Sequence, residues 1–507
     1  MVPGMTDDAG QDPGTGGPAP GWAWDEAEIR RVGYQVVDAI AAHLTGIAAR
    51  PVFRPFPAEL AGSLAQAELP AAGTAADQLL AEAGDLVLGY PLGNGHPRFW
   101  AWVNSPPHVL GVLADALAAA ANPSVAGGNH AAVHIEHAVV RWFCELAGLP
   151  DTAAGLMTSG GSMATLTALA IARDQAVRRA GGDVRASGLA GLAGPAAGTG
   201  RLRLYLTAEA HSCARKAAEL LGLGAGSITV IGSDEGDRMR PDLLDEQLRR
   251  DGAAGLVPLA VVASAGTVNT GAIDPIAGIA DACARHGTWL HIDGAYGGPA
   301  VLLLEQFAAT RAALGRADSI AIDPHKWLYA PVDAGLVLLR DGSQARDAFS
   351  LVPPYLRTAG DAGGVTGPVW FSELGFEQTR PLRALKVWLL LRHLGLDGYR
   401  QLIAHDLRMA RLLAEQVGAA DDLELLAAGL SVCCFRARPA GVPAARLDQL
   451  NQDLVTRLQL GGRVFLAGTT VRGSYALRAC IVNPGTGPGD LRVALAAIRA
   501  EVAELTR

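Results

Sequence analysis

The feature that most constrains the fold is an alternation of short apolar segments with Ala-rich segments, running from about residue 106 to residue 340. The apolar segments have the length of strands, and most of the segments between them are long enough for helices. This alternation predicts a mostly parallel sheet with helices on both faces. We predict strands over Leu202–Leu206, Ile228–Ile231, Leu259–Ala263, Trp289–Asp293, Ser319–Asp323 and Gly335–Leu339.

The chain of 507 residues is long enough for several domains. We predict a disordered tail over residues 1–23, with neither the basic start nor the apolar stretch of a signal peptide. A helical arm follows over 24–105, in which the proline-broken segment Pro51–Pro57 is extended. The large sheet domain covers 106–395, with a Gly-rich mobile loop at Arg185–Gly200, and a small α/β domain covers 396–507.

Composition narrows the class of function. The formal net charge is −8 and no long basic run occurs, so the footprint of a nucleic-acid-binding protein is missing. No run of about 18 apolar residues predicts a membrane span. The six scattered cysteines match no zinc pattern, so we expect no metal site and buried, reduced thiols. These observations predict a cytoplasmic protein.

Two predicted strands end in residues suited to chemistry. Lys326 follows the strand that ends at Asp323, next to apolar residues, and burial there would lower its pKa and activate its amine. Asp293 ends another strand and is followed by small residues that let a flat ligand lie close to the backbone. A buried carboxylate needs a cationic partner, which a protonated pyridine nitrogen would supply. A surface lysine and a helix-capping aspartate are the simpler interpretations.

Three further segments place polar groups at the same edge of the sheet. Gly161 and Ser162 form a Gly-rich turn before a helix, which is a natural anion site or a plain helix cap. His211 follows the strand Leu202–Leu206, where an imidazole can stack on a planar ring, transfer protons or serve a structural role. Thr267 offers a hydroxyl that could also bond to nearby backbone. Ligands of open α/β sheets bind at this edge.

Together these residues resemble the group II amino-acid decarboxylases that depend on pyridoxal 5'-phosphate (PLP). That family includes the aromatic-L-amino-acid, histidine and glutamate decarboxylases. The most specific matches are Asp323–Trp327, His291–Tyr296, Ala208–Ser212 and Tyr355. The resemblance covers nearly the whole chain, and the aromatic-L-amino-acid branch is the most similar. It implies an α/β fold of PLP fold-type I, with a mostly parallel seven-stranded sheet in a large PLP-binding domain. It also implies a homodimer with shared active sites, in which the N-terminal arm wraps the partner.

The resemblance implies a role for each site residue. Lys326 would hold PLP as a Schiff base, Asp293 would pair with the pyridine nitrogen, and His211 and Ala295 would cover the two ring faces. The phosphate would be held by Gly161, Ser162, Thr267, Asp323 and His325. Many family members have Asn at the position of Asp323. Tyr355, beside the Gly-rich segment Thr358–Val365, would assist protonation at Cα from a mobile loop.

The expected reaction is α-decarboxylation of an L-amino acid to the amine and carbon dioxide. Trp100, Trp102 and Ser105 lie where relatives build part of the substrate pocket, which favours an aromatic substrate. Polar residues around Asn122 leave a more polar amino acid open. The residues also leave open oxidative decarboxylation to an aldehyde, another PLP reaction, a silent PLP-binding protein and a non-PLP phosphate-binding protein. Tyr355 favours simple decarboxylation, because related aldehyde synthases have Phe at that position.

Overall fold

A computed structural model describes residues 23–191, 201–351 and 367–507. The described chain forms two compact units, of which the first ends at Leu92 and the second begins at Gly93. The first unit contains helices α1 (Glu26–Gly46), α2 (Ala58–Ala65) and α3 (Ala76–Val87). The tail predicted over residues 1–23 falls almost entirely outside the described residues.

The second unit contains the remaining helices. They are α4 (Val109–Ala121), α5 (Ala131–Ala147), α6 (Gly161–Arg179), α7 (Val184–Ser187), α8 (Ser212–Leu220), α9 (Pro241–Ala253), α10 (Ile276–His286), α11 (Gly298–Leu303), α12 (Ala308–Leu314), α13 (Pro324–Trp327), α14 (Gly342–Phe349), α15 (Ala384–Gly418), α16 (Ala444–Leu460) and α17 (Pro488–Leu505). Helix α7 overlaps the first residues of the segment Arg185–Gly200, which we predicted as a mobile loop, and residues 192–200 lie outside the described chain.

A seven-stranded sheet is the centre of the second unit, with the order β1-β7-β6-β5-β4-β2-β3. Its strands are β1 (Ala154–Thr158), β2 (Leu202–Leu206), β3 (Ile228–Val230), β4 (Val257–Ser264), β5 (Trp289–Asp293), β6 (Ser319–Ile322) and β7 (Gly335–Leu339). Only β7 runs against its neighbours, so the predicted mostly parallel sheet is confirmed. Apart from the edge strand β3, the strands are mostly buried, which explains why they read as continuous apolar runs.

Helix α6 explains how the sheet is covered on one face. It packs on β4, β5, β6 and β7, and Ala is the commonest of its buried residues, which allows a close approach to the strands. Because β1 runs in the same direction as β6, the end of β1 and the start of α6 lie at the edge where the parallel strands end. The fold thus brings the segments after β1, β2, β4, β5 and β6 to one edge.

A second sheet of four antiparallel strands forms the C-terminal part, in the order β10-β11-β9-β8. Its strands are β8 (Leu423–Gly429), β9 (Val432–Ala437), β10 (Ala467–Val471) and β11 (Ser474–Cys480). Helices α16 and α17 cover it around a separate apolar core. Helix α15 runs into this part through a kink at Gly395, whose φ of 63° suits glycine. Gly395 is the last residue of the predicted large domain, whose boundary stays a prediction.

The first unit is held together by polar and aromatic contacts. Asp25 caps α1, and Arg31 on α1 pairs with Asp77 on α3 at 2.9 Å. In the proline-broken segment, Phe56 packs edge-on against Tyr90 with ring centroids 5.3 Å apart. Phe56 still exposes 40% of its surface, so this contact covers only part of the ring.

The described residues also show the state of the cysteines, the character of the helices and the grouping of possible metal ligands. All six cysteines are buried and free, as predicted. Within the three described ranges, no helix is both long and apolar enough to traverse a lipid bilayer. The same residues contain no group of three His, Cys, Asp or Glu side chains arranged to hold a metal ion.

Candidate active site

A cavity of about 560 Å³ lies between the carboxyl ends of the large sheet and the small sheet. The sheet-edge wall consists of Gly160, Gly161, Ser162, His211, Asp293, Ala295, Asp323, His325 and Lys326. The small-sheet wall consists of Trp102, Val103, Asn104, Ala467, Gly468, Thr469 and Arg478. The sheet-edge wall therefore brings together residues that are up to 166 positions apart in the sequence, from Gly160 to Lys326.

Lys326 lies on the one-turn helix α13 directly after β6. Its Nζ donates to Oδ2 of the buried Asp323 at 2.9 Å. Burial alone would lower the pKa of Lys326, but the charges of Asp323 and Asp293 and the hydrogen bond outweigh burial, so the pKa is raised. This corrects the expectation from the sequence that burial leaves the amine with a lowered pKa. The free lysine is a cation held by two carboxylates.

Asp293 is the last residue of β5, and its Oδ1 accepts from the Ala295 backbone N–H at 3.1 Å. This bond fixes the carboxylate beside the turn, where Asp293 lines the cavity. Ala295 is buried and lines the same cavity. A small residue at this position keeps the floor of the cavity open to a flat ligand.

The start of α6 has the form of an anion site. Gly160 precedes the helix without a side-chain cap, so the first N–H groups of α6 point towards the cavity. A Cβ on Gly161 would lie 2.8 Å from Cβ of Ala295 and 3.0 Å from Oδ2 of Asp323. Ser162 is exposed at the mouth of this turn. The glycine is therefore required for the close packing of three segments at this point.

His211 caps α8, and its Nδ1 accepts from the Cys213 backbone N–H at 3.2 Å. Burial is the main cause of its lowered pKa, with Asp293 acting in the opposite direction. An imidazole that accepts at Nδ1 and has a lowered pKa is neutral near pH 7. The Cys213 thiol also lines the cavity, and burial raises its pKa to about 12, so it stays protonated.

His325 is held by a backbone contact. Its Nδ1 accepts from the Ala334 N–H at 3.1 Å, and its Nε2 lies 3.7 Å from Oδ2 of Asp323. Burial lowers the pKa of His325, which the charge of Asp323 partly offsets. Its neutral ring is therefore fixed beside the Gly-rich turn at the start of α6.

Comparison with known protein families identifies the family of this chain. Residues 57–438 match the model of the pyridoxal-dependent decarboxylase conserved domain. The chain belongs to the pyridoxal-dependent decarboxylases. It is therefore an amino-acid decarboxylase that uses PLP, as the resemblance of its motifs predicted.

Individual relatives of this decarboxylase span nearly its whole length. The aromatic-L-amino-acid decarboxylase of Bacillus atrophaeus is 32% identical over 94% of the chain and 96% of the relative. The L-2,4-diaminobutyrate decarboxylase of Rhizobium meliloti is 33% identical over 86% and 84%. Among solved structures, Oryza sativa TDC with PLP and tryptamine superposes with a TM-score of 0.85 at 26% identity, covering 95% of this chain and 99% of that chain.

The residues of the decarboxylase's cavity fit PLP in their chemistry. The uncapped start of α6 suits a phosphate, and the Gly161 position would be closed by any side chain. Oδ1 of Asp323 is buried and finds no hydrogen-bond donor in the described chain. This oxygen can therefore still accept a hydrogen bond from a bound ligand. One amine, Lys326, lies among these groups, and one further carboxylate, Asp293, shares its cavity.

Some residues predicted from the sequence lie elsewhere. Trp100 does not line the cavity; it is buried in the core of the small sheet, where its Nε1 donates to the Pro97 carbonyl at 2.8 Å. Thr267 is behind the wall, and its hydroxyl accepts from the Ala272 N–H, as a turn hydroxyl does. Ser105 is also behind the wall and donates to the His325 carbonyl at 3.4 Å. Tyr355 and the segment Thr358–Val365 lie outside the described residues.

Sequence reasoning missed Arg478 on β11. Its Nε donates to the Val268 carbonyl and its Nη1 to the Trp102 carbonyl, each at 3.0 Å. The side chain is 4% exposed and lines the cavity, and its Nη2 has no acceptor within residues 23–191, 201–351 and 367–507. A charged residue inside the otherwise apolar run Ala476–Val482 was the available signal, because a buried charge in a strand requires a partner.

A second missed group joins the two walls. The Thr469 hydroxyl donates to Oδ1 of Asn269 at 2.7 Å, and the Asn269 side chain also hydrogen-bonds to Glu209. Asn269 follows β4, Thr469 lies on β10, and both line the cavity. Trp102, the one predicted substrate residue on the wall, packs on Phe99 and Phe465 with centroids 5.9 Å away in each case.

Proposed function

We propose that Lys326 carries PLP covalently and that Asp293 faces its pyridine nitrogen. The observation that supports this most is that the amine and the carboxylate share one cavity with the open start of α6. We assign the phosphate to Gly161, Ser162 and the α6 N-terminus. In this assignment Asp323 acts on Lys326 rather than on the phosphate, because two anions in contact would repel each other.

When bound, PLP supplies an electron sink for the pair left at Cα as carbon dioxide departs. Asp293 keeps the proton on the pyridine nitrogen, because a carboxylate favours a nearby cation. His211, which is neutral, and Ala295 hold the two faces of the ring without adding charge. Asp323 and Asp293 hold a proton at Lys326 Nζ, which the lysine must release before its amine can react.

We assign recognition of the substrate carboxylate to Arg478. Its Nη2, for which residues 23–191, 201–351 and 367–507 offer no acceptor, is the group on the small-sheet wall that most needs an anion, and a guanidinium binds carboxylates well. The cluster of Trp102 with Phe99 and Phe465 gives the same wall an aromatic face. We therefore favour an aromatic L-amino acid, with a more polar one such as L-2,4-diaminobutyrate as the second candidate because of Asn269 and Thr469. Release of carbon dioxide from a panel of L-amino acids distinguishes the two.

Tyr355 remains the proposed aid to protonation at Cα. Tyr355→Phe should divert turnover from the amine towards the aldehyde, hydrogen peroxide and ammonia, with dissolved oxygen as the oxidant and water as the source of the carbonyl oxygen. Product analysis with a peroxide assay measures the ratio. An unchanged amine yield without peroxide would remove Tyr355 from the mechanism, and an aldehyde product from the unaltered enzyme would favour an aldehyde synthase.

We propose that the enzyme is a cytoplasmic homodimer. Helix α4 presents a stripe of exposed apolar residues at helical spacing, Val109, Leu113 and Leu117, with 47%, 42% and 63% exposure. Such a stripe is typical of an interface. The exposed apolar face of α1, with Ile29 and Val37, would give the arm a surface for wrapping the second subunit. Light scattering of the purified enzyme measures the mass, and a monomer would contradict the proposal.

The assignment of Lys326 can be tested because the chain has only three lysines, Lys216, Lys326 and Lys386. Lys216 is exposed on α8, and Lys386 is paired with Asp115 at 3.1 Å. Borohydride reduction of the PLP-loaded enzyme should place the added mass on the peptide with Lys326. Lys326→Ala should abolish the adduct and carbon dioxide release, whereas the matched Lys216→Ala should retain both. An adduct that persists in Lys326→Ala would refute the assignment.

A further inference from the structure

Asp406 is a buried carboxylate that the reaction described above does not use. It lies on α15 with none of its surface exposed. Its Oδ2 accepts from the Trp327 indole N–H at 2.9 Å and from the Tyr329 hydroxyl at 2.8 Å. Its Oδ1 is buried without a donor in the described parts of the chain. A fully buried carboxylate is costly, so its two specific donors call for an explanation.

Both donors belong to the turn that begins at Lys326. Trp327 is the residue immediately after the lysine, and Tyr329 has a φ of 55°, in the left-handed region that bulky side chains rarely adopt. Such a conformation persists where surrounding contacts hold it. Tyr399, on the same helix as Asp406, adds a hydrogen bond to the Leu328 carbonyl at 3.1 Å. The carboxylate and its helix thus fix each residue of the turn after the lysine.

The same turn reaches the cavity wall through aromatic packing. Trp327 stacks on Tyr296 with centroids 5.2 Å apart and planes inclined by 12°. Tyr296 lines the cavity, three residues after Asp293, and its hydroxyl bonds to the Ser431 hydroxyl at 2.6 Å. A shift of the Trp327 ring would therefore move the backbone of Lys326 and disturb the segment that follows Asp293.

We propose that Asp406 is a positioning residue for Lys326: by accepting from Trp327 and Tyr329 it sets where the lysine amine enters the cavity. This inference rests on the proposed role of Lys326. Asp406 acts through its acceptor oxygen and touches neither cofactor nor substrate. An Asn at this position can present an amide oxygen to the same two donors, whereas an Ala leaves both donors buried without an acceptor.

The surroundings of Asp406 allow its ionisation to be followed. Burial raises the pKa of Asp406 to about 7, although its two donors act in the opposite direction. Tyr329 and Cys480 are the other titratable groups that interact with it, and Tyr399 stacks on Tyr329; burial raises the pKa of each, so all three stay neutral near pH 7. Charge-assisted hydrogen bonds are stronger than neutral ones, so the turn is held more tightly above pH 7 than below it.

The test measures PLP incorporation into the apo-enzyme, trapped by borohydride and counted on the Lys326 peptide, independently of turnover. Asp406→Ala should slow incorporation by about tenfold or more, because two buried donors lose their acceptor. Asp406→Asn should restore the rate to within about twofold of that of the unaltered enzyme below pH 7, because both then present a neutral acceptor to the two donors. It should also remove the extra rise in rate near pH 7 that ionisation of Asp406 adds to the pH dependence set by Lys326.

Asp251→Ala is the matched control, since Asp251 is a buried carboxylate that accepts from the Tyr205 hydroxyl at 2.7 Å and from Gln247 at 2.8 Å, away from the cavity wall. It should lower thermal stability without changing the rate of incorporation. If Asp406→Ala loses stability but incorporates PLP as fast as the unaltered enzyme, Asp406 is merely structural and the proposal fails. The proposal also fails if Asp406→Asn is as slow as Asp406→Ala. If the assignment of Lys326 as the PLP-bearing residue is wrong, the borohydride adduct is found on Lys216 or Lys386, which is a separate result.

Discussion

The two walls of the cavity differ in how their charges are balanced. On the sheet-edge wall, Lys326 pairs with Asp323 at 2.9 Å and is also stabilised by the charge of Asp293. On the small-sheet wall, Arg478 is buried among backbone carbonyls, and one of its nitrogens lacks an acceptor in the described chain. A cation flanked by carboxylates suits groups that must hold and move protons. An unbalanced cation suits the capture of an anion.

This difference assigns separate tasks to the two walls. The sheet-edge wall should govern the chemical step, because its charges act on the cofactor. The small-sheet wall should govern binding of the amino acid, because its free charge acts on the substrate. Substitutions on the two walls should therefore separate into effects on kcat and effects on KM.

The largest expected effect is that of Asp293→Asn on the sheet-edge wall. Removing one partner of a buried ion pair costs about 3–5 kcal/mol, so kcat should fall by at least about a hundredfold with little change in KM. Steady-state kinetics on the PLP-saturated enzyme measures both parameters. A variant that raises KM and keeps kcat would break the division between the walls.

Arg478→Met on the small-sheet wall should change KM more than kcat, unlike Asp293→Asn. Hydrogen bonds to charged groups contribute about 1.5–3 kcal/mol, so KM should rise by about tenfold to a hundredfold while kcat falls less. Arg436→Met is the matched control, because Arg436 lies on the neighbouring strand β9 and pairs with Glu424 instead. A loss confined to kcat in Arg478→Met would contradict a role in recognition.

Asp323→Asn tests whether the charge of Asp323 on the sheet-edge wall raises the pKa of Lys326. In the unaltered enzyme the carboxylates raise the pKa of Lys326, so the reactive neutral amine forms only as pH rises above the ordinary lysine range. Burial lowers the pKa of Lys326 and the charge of Asp323 raises it, so removing that charge lowers the pKa. The pH profile of PLP incorporation into the apo-enzyme should therefore move to lower pH. A profile that stays in place or moves upward would show that Asp323 does not hold the proton on Lys326.

The smallest expected effect is that of Thr469→Val, which removes the hydroxyl that donates to Asn269. One neutral hydrogen bond contributes about 0.5–1.5 kcal/mol, so KM should change by about twofold to tenfold with kcat unchanged. Kinetics with an aromatic and a polar amino acid side by side would show which substrate depends on this contact. Equal effects on both substrates would remove Thr469 from specificity.

The sequence was most informative where chemistry follows a strand. Lys326, Asp293 and His211 each lie at or just after the end of an apolar run, and parallel strands bring such positions to one edge. It was least informative where the site depends on contacts between distant segments. Arg478 meets Trp102 across 376 positions, and nothing local to either residue indicates that contact. Trp100 was misassigned because two tryptophans in Trp100–Trp102 look alike in sequence, although one faces the core and the other faces the cavity.

The strand boundaries also could be predicted where the local sequence is a continuous apolar run, and could not where it is not. Trp289–Asp293 and Gly335–Leu339 match the observed β5 and β7 because buried strands of a parallel sheet are continuous apolar runs. We did not predict β10 (Ala467–Val471), whose Gly and Thr residues and exposed positions lack such a run. That strand supplies Thr469 to the small-sheet wall, so the missed strand and the missed Thr469 have one physical cause.

The most direct test of the central claim is a crystal structure of the enzyme with PLP. We predict continuous density from Nζ of Lys326 to the cofactor and the Asp293 carboxylate about 3 Å from the ring nitrogen. The phosphate should lie at the start of α6. PLP joined to another lysine, or an Asp293 carboxylate that faces away from the ring, would contradict the account.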